Sequence, residues 1–415
     1  MPTIHGALMR TAATAVLAGA LVGTLAGCEH DELATRPRTP VNGTLFASYV
    51  AMGNSITAGY QSGGIVDTTQ QESYAALIAH QAGTRFAIPS MQFPGCPPPI
   101  VNFQTQARLG GGTATTCALR TAGSVTAVLN NVAVPGAITL DPTSVTTSAS
   151  NALTMFILGG QTQVQRALDA DPTFVSIEIG NNDVLSAAEH GTVVPEASIG
   201  SPGVTAVDTV VAEYATMLAQ LTKARPSLKG LLVGVFDVTA LPSLFPAESL
   251  YSNATFNAEF TDAAGGSVTY VPNCAGSHAL IAIGIIQFWQ EAGIPPVISC
   301  QAGVPVEPYG DFFVLDTAKQ RVIGAAVSGY NGYISAKADS LGWAYVDPNI
   351  ALGALKASGA IPTLPNFASA TQTFGSYITL DGIHPSALAH KLLANVLIQG
   401  INTKYGVSID TVSHQ

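Results

Sequence analysis

Charged residues are scarce in this chain. Lys, Arg, Asp and Glu together make up 10% of its 415 residues, against roughly 25% in an average soluble domain. The 16 Lys and Arg are scattered among 26 Asp and Glu for a net charge of −10. No basic run exists to neutralise a row of phosphates, which argues against a nucleic-acid partner. There is no Gly-x-Ser-x-Gly, so the usual α/β-hydrolase elbow is missing, and no His-Glu-x-x-His, so the helical zinc motif is missing too. The cysteines form no Cys-x-x-Cys pair and have no His-rich spacing beside them, so no metal site is expected. Apolar residues, by contrast, make up 47% of the chain. That is enough to build a large core, and it excludes a disordered chain.

The N-terminus reads as a processed leader. A short n-region ends at Arg10, an apolar run covers Ala12–Ala26, and Leu25-Ala26-Gly27-Cys28 follows. The run is shorter than the roughly 20 residues needed to span a bilayer, and small residues before a Cys mark processing. The segment resembles a bacterial lipobox. That resemblance makes residues 1–27 a lipoprotein signal peptide and Cys28 the lipidated first residue of the mature protein. An ordinary secretory signal with an incidental Cys is the other reading. Residues 28–44 are polar, Pro-containing and aperiodic, which suits a tether. Glu29 replaces the Asp associated with inner-membrane retention, so the expected location is the cell envelope, lipid-anchored in the outer membrane.

Four cysteines remain, Cys96, Cys117, Cys274 and Cys300, an even number that allows three pairings. The local pairing, Cys96 with Cys117 and Cys274 with Cys300, closes the shortest loops and is the one expected.

Strand-like apolar segments at 45–52, 131–135, 173–179, 231–237 and 343–347 alternate with helical patterns at 73–82, 207–224, 316–341 and 385–401. Alternation of this kind implies a parallel sheet with helices on both faces. Two long interruptions, 89–130 and 238–310, break the pattern in what is otherwise one domain over 45–415. If each follows a strand, each leaves the carboxyl edge of the sheet, where open α/β sheets place their sites. Within the second, residues 279–289 read two ways, as an apolar pocket wall or lid, or as a helix buried against the sheet.

Three short motifs carry chemistry. Gly53-Asn54-Ser55-Ile56-Thr57-Ala58-Gly59 follows the first strand, and its flanking glycines allow a sharp turn that presents a serine. Gly180-Asn181-Asn182-Asp183 ends a strand, where an Asn amide is either a turn former or an oxyanion donor. Asp381-Gly382-Ile383-His384-Pro385 precedes the last helix. Pro385 suits its first position, and the three-residue spacing lets Asp381 reach the His384 imidazole. A capping Asp beside a surface His is the alternative.

Taken in this order, the motifs resemble those of the SGNH hydrolases, the GDSL esterase/lipase family. The resemblance implies a flavodoxin-like three-layer sandwich; the two insertions match no block of the family and are the loops that the local disulfide pairing would close. Ser55 matches the nucleophile, His384 the base and Asp381 its orienter. The oxyanion hole is implied to be the Ser55 and Gly136 backbone N–H groups and the Asn182 amide. One departure stands out: Asn54 occupies the place of the Asp that the family carries beside its serine. The implied activity is carboxylic ester hydrolysis through an acyl-serine, without metal or organic cofactor, on an acyl lipid or acylated glycan, by a monomer. The alternative is a surface-anchored glycan- or lipid-binding lipoprotein that keeps the fold without turnover.

Overall fold

Four short apolar strands lie side by side in one parallel sheet, in the order β1 (Tyr49–Gly53), β2 (Phe174–Glu178), β3 (Lys229–Val233) and β4 (Ala344–Val346). This computed structural model describes residues 43–145 except 119, 122, 124 and 126, then 153–193, 203–300 except 271, and 312–413. The leader, Cys28 and all of the tether but its last two residues lie outside the described residues. Among the described residues, no helix is long and apolar enough to cross a membrane.

β1 and β2 are buried at every position, because helices cover both faces of the sheet and successive side chains point to opposite layers. On one face Tyr49, Ala51, Phe174 and Leu231 pack against Tyr74 and Ile78 of α2 (Tyr74–Ala82) and Leu397 and Ile401 of α6 (Ala387–Tyr405). On the other, Val50, Met52, Val175 and Leu232 pack against Tyr214 and Leu218 of α4 (Val207–Ala224) and Tyr330 and Ile334 of α5 (Thr317–Leu341). The result is the expected three-layer α/β sandwich.

The segment 131–135 is not a full strand. Asn131 makes a single parallel bridge to Ala51, and Val132 and Val134 N–H groups reach the Ala51 and Gly53 carbonyls at 2.9 and 3.1 Å. Pro135 has no N–H to continue the ladder. The segment therefore forms a frayed outer edge beside β1, in the place that completes a flavodoxin-like order.

The last helix also starts later than its Pro suggested. Ser386 caps α6 by accepting the Ala389 N–H at 3.3 Å. Pro385, instead of opening the helix, bridges Ile378.

The first insertion leaves from the end of α2 and not from a strand, because the chain between β1 and its outer edge contains that helix. It still reaches the carboxyl side of the sheet. The Cys96 N–H donates to the Ile65 carbonyl at 2.8 Å and the Ile65 N–H to the Pro97 carbonyl at 3.0 Å, fastening the insertion to the loop that follows the Ser55 turn. The second insertion begins after β3 as expected but runs to residue 315. There Val314–Leu315 joins Leu280–Ala282 and Leu244–Pro246 in a small antiparallel sheet. Residues 279–289 contribute to the core and not to the cleft lining: Leu280–Ala282 is the middle strand, and Ile285 and Trp289 are buried on the helix Gly284–Ala292, whose other face exposes Gly284 and Gln287.

Both disulfides form as paired from the sequence, Cys96–Cys117 and Cys274–Cys300, with separations of 21 and 26 residues. Closing loops of this size removes unfolded-state entropy worth about 3 kcal/mol each. Replacing either pair by Ser should lower unfolding stability by roughly that amount, read as a shift of the denaturant midpoint. A pair whose loss leaves the midpoint unmoved would show that the loop is held by packing alone.

Candidate active site

The carboxyl ends of β1 and β2 are level, since Gly53 pairs with Glu178 in the ladder. At Gly53 the chain turns back at φ +157°. A Cβ there would stand 2.3 Å from the Glu178 carbonyl oxygen and 2.4 Å from Thr57 Oγ1, so only glycine permits the turn. The single-turn helix α1 (Ser55–Ala58) follows at once, capped by Asn54, whose Oδ1 accepts the Ile56 N–H at 3.0 Å. Ser55 thus becomes the first helical residue, facing a cleft.

His384 arrives from the other end of the chain. Its Nε2 lies 2.8 Å from Ser55 Oγ, and its Nδ1 lies 2.8 Å from Asp381 Oδ2. The loop holding it is closed by the Thr379 N–H to the His384 carbonyl at 2.9 Å. Asp381 accepts five hydrogen bonds: from Thr379 Oγ1, the Ile383 and His384 N–H groups, His384 Nδ1–H and the Gly63 N–H. This saturates both oxygens and fixes the imidazole tautomer, with Nδ1 as donor and Nε2 free to accept. The Tyr60 ring packs against the imidazole, with centroids 4.9 Å apart.

Burial pushes Asp381 up, but His384 and the hydrogen bonds to the carboxylate outweigh it and hold Asp381 well below the usual carboxylate range. Burial pulls His384 down, yet the charge and hydrogen bond of Asp381, helped by Glu189 and Glu178, leave it raised above an ordinary imidazole.

Asn182 opens α3 (Asn182–His190) and donates from Nδ2 to the Ala137 carbonyl at 2.8 Å. That bond spends one amide hydrogen and leaves the second available. Its neighbour Asn181 is committed to the scaffold at both ends, donating to Glu178 and accepting the Phe236 N–H at 2.8 Å. Gly136 lies on the exposed turn just before Ala137, at φ +80°. It is not among the residues lining the cleft. Asp183 steadies that turn by accepting Thr139 N–H and Oγ1–H at 2.9 and 3.0 Å.

Ser55, His384, Asn181 and Asn182 form the polar floor of the cleft, while Leu185, Phe236, Val238, Leu352, Ile361 and Ile383 are among its walls. Among the described residues, no charged side chain lines it other than His384, when that residue is protonated. Sequence reasoning missed Glu178 and Tyr60. Glu178 had a signal, an acid within the otherwise apolar run FVSIEI, since buried carboxyls are rare without partners. Tyr60 had none.

The GDSL-like lipase/acylhydrolase family model matches residues 49–397, a span that takes in Ser55, Asn182, Asp381 and His384. The chain belongs to this family. No curated protein matches it. Solved structures similar to this GDSL chain are distant. One is a variant of an acetyl-xylooligosaccharide esterase from Geobacillus Stearmophilus, at 14% identity and TM-score 0.35, with 85% of this chain and 93% of that one covered. Another is an extracellular lipase from Streptomyces rimosus, at 15% identity and TM-score 0.31, covering 86% and 97%. A third is phospholipase A1 from Streptomyces albidoflavus NA297, at 16% identity and TM-score 0.30, covering 86% and 98%.

The electrostatics of this GDSL site can be read directly by NMR titration of the histidine rings. His384 should titrate above the ordinary value of about 6.5. In Asp381→Asn it should fall below that value, because burial, the largest influence on it, is then opposed only by Glu189 and Glu178. His390 serves as an internal control: burial, then the His384 charge, push it down to about 3. A His384 midpoint that does not move in Asp381→Asn would contradict the pairing.

Proposed function

We propose that the protein is a serine carboxylic ester hydrolase that works through an acyl-serine intermediate on esters with a hydrocarbon acyl chain. The observation that carries this reading is the unbroken Ser55–His384–Asp381 relay, 2.8 Å at each step, on the floor of an apolar cleft.

In this mechanism His384 Nε2 takes the Ser55 Oγ proton as the oxygen attacks the ester carbonyl, and Asp381 stabilises the imidazolium that results. The oxyanion accepts from the Ser55 N–H, which has no intrahelical acceptor at the start of α1, and from the second Nδ2 hydrogen of Asn182. Gly136, the third donor that the resemblance implied, lies outside the cleft lining and has no part in this step. Each donor of this kind is worth about 3 kcal/mol in the transition state. His384 then protonates the leaving alcohol, and a water activated by the same base releases the acid.

The apolar walls support acyl chains over acetyl groups. Each buried methylene gains about 0.8 kcal/mol, so kcat/KM should rise roughly fourfold per methylene from acetyl to about octanoyl esters. Ser55→Ala should lower turnover at least about 10³-fold and abolish labelling by a fluorophosphonate. A preference for acetyl esters would redirect the reading to glycan deacetylation, and a wild-type protein that neither labels nor turns over would point to a binding lipoprotein.

The Leu25-Ala26-Gly27-Cys28 segment supports delivery to the cell envelope on a lipid anchor, as part of the same proposal. Residues 28–44 contain none of the site residues. Cys28→Ser should therefore move the protein from the detergent phase to the aqueous phase while its hydrolysis of soluble esters persists. Wild-type protein found wholly in the aqueous phase would overturn the anchor and leave the hydrolase untouched.

A further inference from the structure

Glu178 takes no part in the steps above, yet it is fully buried at the end of β2 and joins the two turns that bear the reacting groups. Its Oε1 accepts from Asn54 Nδ2 at 3.0 Å and from Asn181 Nδ2, and its Oε2 accepts from Thr57 Oγ1 at 2.9 Å. Thr57 Oγ1 is in turn paired with the Tyr74 hydroxyl at 2.7 Å. Asn54 immediately precedes Ser55, and Asn181 immediately precedes Asn182. One carboxyl therefore stands a single residue away from the serine on one side and from the oxyanion amide on the other.

The hydrogen-bond chemistry is specific. Asn54 Oδ1 is spent on the helix cap and Asn181 Oδ1 on the Phe236 N–H. Both side chains are left with only an amide nitrogen to turn toward β2, and an amide nitrogen can only donate. Two donors converging in a buried place need one acceptor, and without it both lose their partner at a cost in local order. The carboxyl supplies that acceptor.

We propose that Glu178 is the positioning residue of the site, holding the Ser55 turn and the Asn182 turn at the separation that acyl transfer requires. The inference rests on the ester-hydrolase reading. It also accounts for the Asn at position 54, since an amide there meets an acceptor across the ladder.

The test uses the full-length protein and one hydrocarbon ester. It measures kcat and KM separately, the rate of fluorophosphonate labelling, and the fold by circular dichroism and Tm. Glu178→Leu removes the acceptor, and Asn181→Ala cuts the link to the Asn182 turn from its other end. Each should lower kcat at least about tenfold with KM within about twofold, the mark of lost transition-state alignment. Glu178→Gln keeps one oxygen for the two amides and donates to Thr57 by reversing the Thr57–Tyr74 hydroxyl pair, so it should stay within about threefold of wild type. Thr57→Val removes the third donor without touching either link and should also stay within about threefold, even where Tm falls.

A folded Glu178→Leu or Asn181→Ala at wild-type kcat overturns the proposal. So does Glu178→Gln as impaired as Glu178→Leu, or Thr57→Val losing as much kcat as Glu178→Leu. If Glu178→Leu does not fold, Asn181→Ala and Glu178→Gln decide by the same criteria. A wild-type protein without turnover or labelling overturns the hydrolase reading and this inference together, whereas an active wild type with unaffected variants overturns this inference alone.

Discussion

The pairing of Gly53 with Glu178 at the carboxyl edge of the sheet is the constraint on which the site depends. Two parallel strands that end level can place the turns after them in contact, and here those turns contain Ser55 and Asn182. The close approach is possible only because residue 53 has no side chain. A Cβ there would collide with the backbone of β2 and displace α1, and with it the serine. The stability of the buried strands is thereby converted into precision at two polar atoms.

A polar site inside so apolar a molecule has to satisfy its own hydrogen-bonding groups. Asp381 does so with five donors drawn from its own loop and from Gly63. Glu178 does so with three side chains, and burial still pushes it up to about 7. Such groups cannot reorient without losing partners, so His384 and the two Asn side chains are held in place before any ester arrives. The hydrophobic walls lower the polarity around the site, which strengthens each of these interactions.

The insertions divide the remaining work. The first is fastened to Ile65 and to the loop that gives Asp381 its Gly63 hydrogen bond, so it supports the relay from behind. The start of the second, Phe236 to Leu241, supplies cleft wall. Its more distant part, the small antiparallel sheet with Trp289, packs as core.

Much of this was legible beforehand because it is local or periodic. Strand and helix alternation specified a parallel sandwich, the three short motifs identified Ser55, Asn182, Asp381 and His384, and loop length favoured the disulfide pairing that forms. Other features depended on contacts that sequence spacing does not encode. Whether 131–135 pairs as a strand depends on how far β1 extends beside it, and whether 279–289 is lid or core depends on what packs over Trp289. Glu178 went unread in the sequence because its partners come from elsewhere: the ladder brings Asn54 across from it, 124 residues away in the chain. The sequence by itself determined which side chains exist to do chemistry and where the chain turns, since both follow from residue type and local backbone preference. Only the tertiary structure decided which of them meet, because a distance of 2.8 Å between residues 329 positions apart is set by the packing of the whole sheet and its helices.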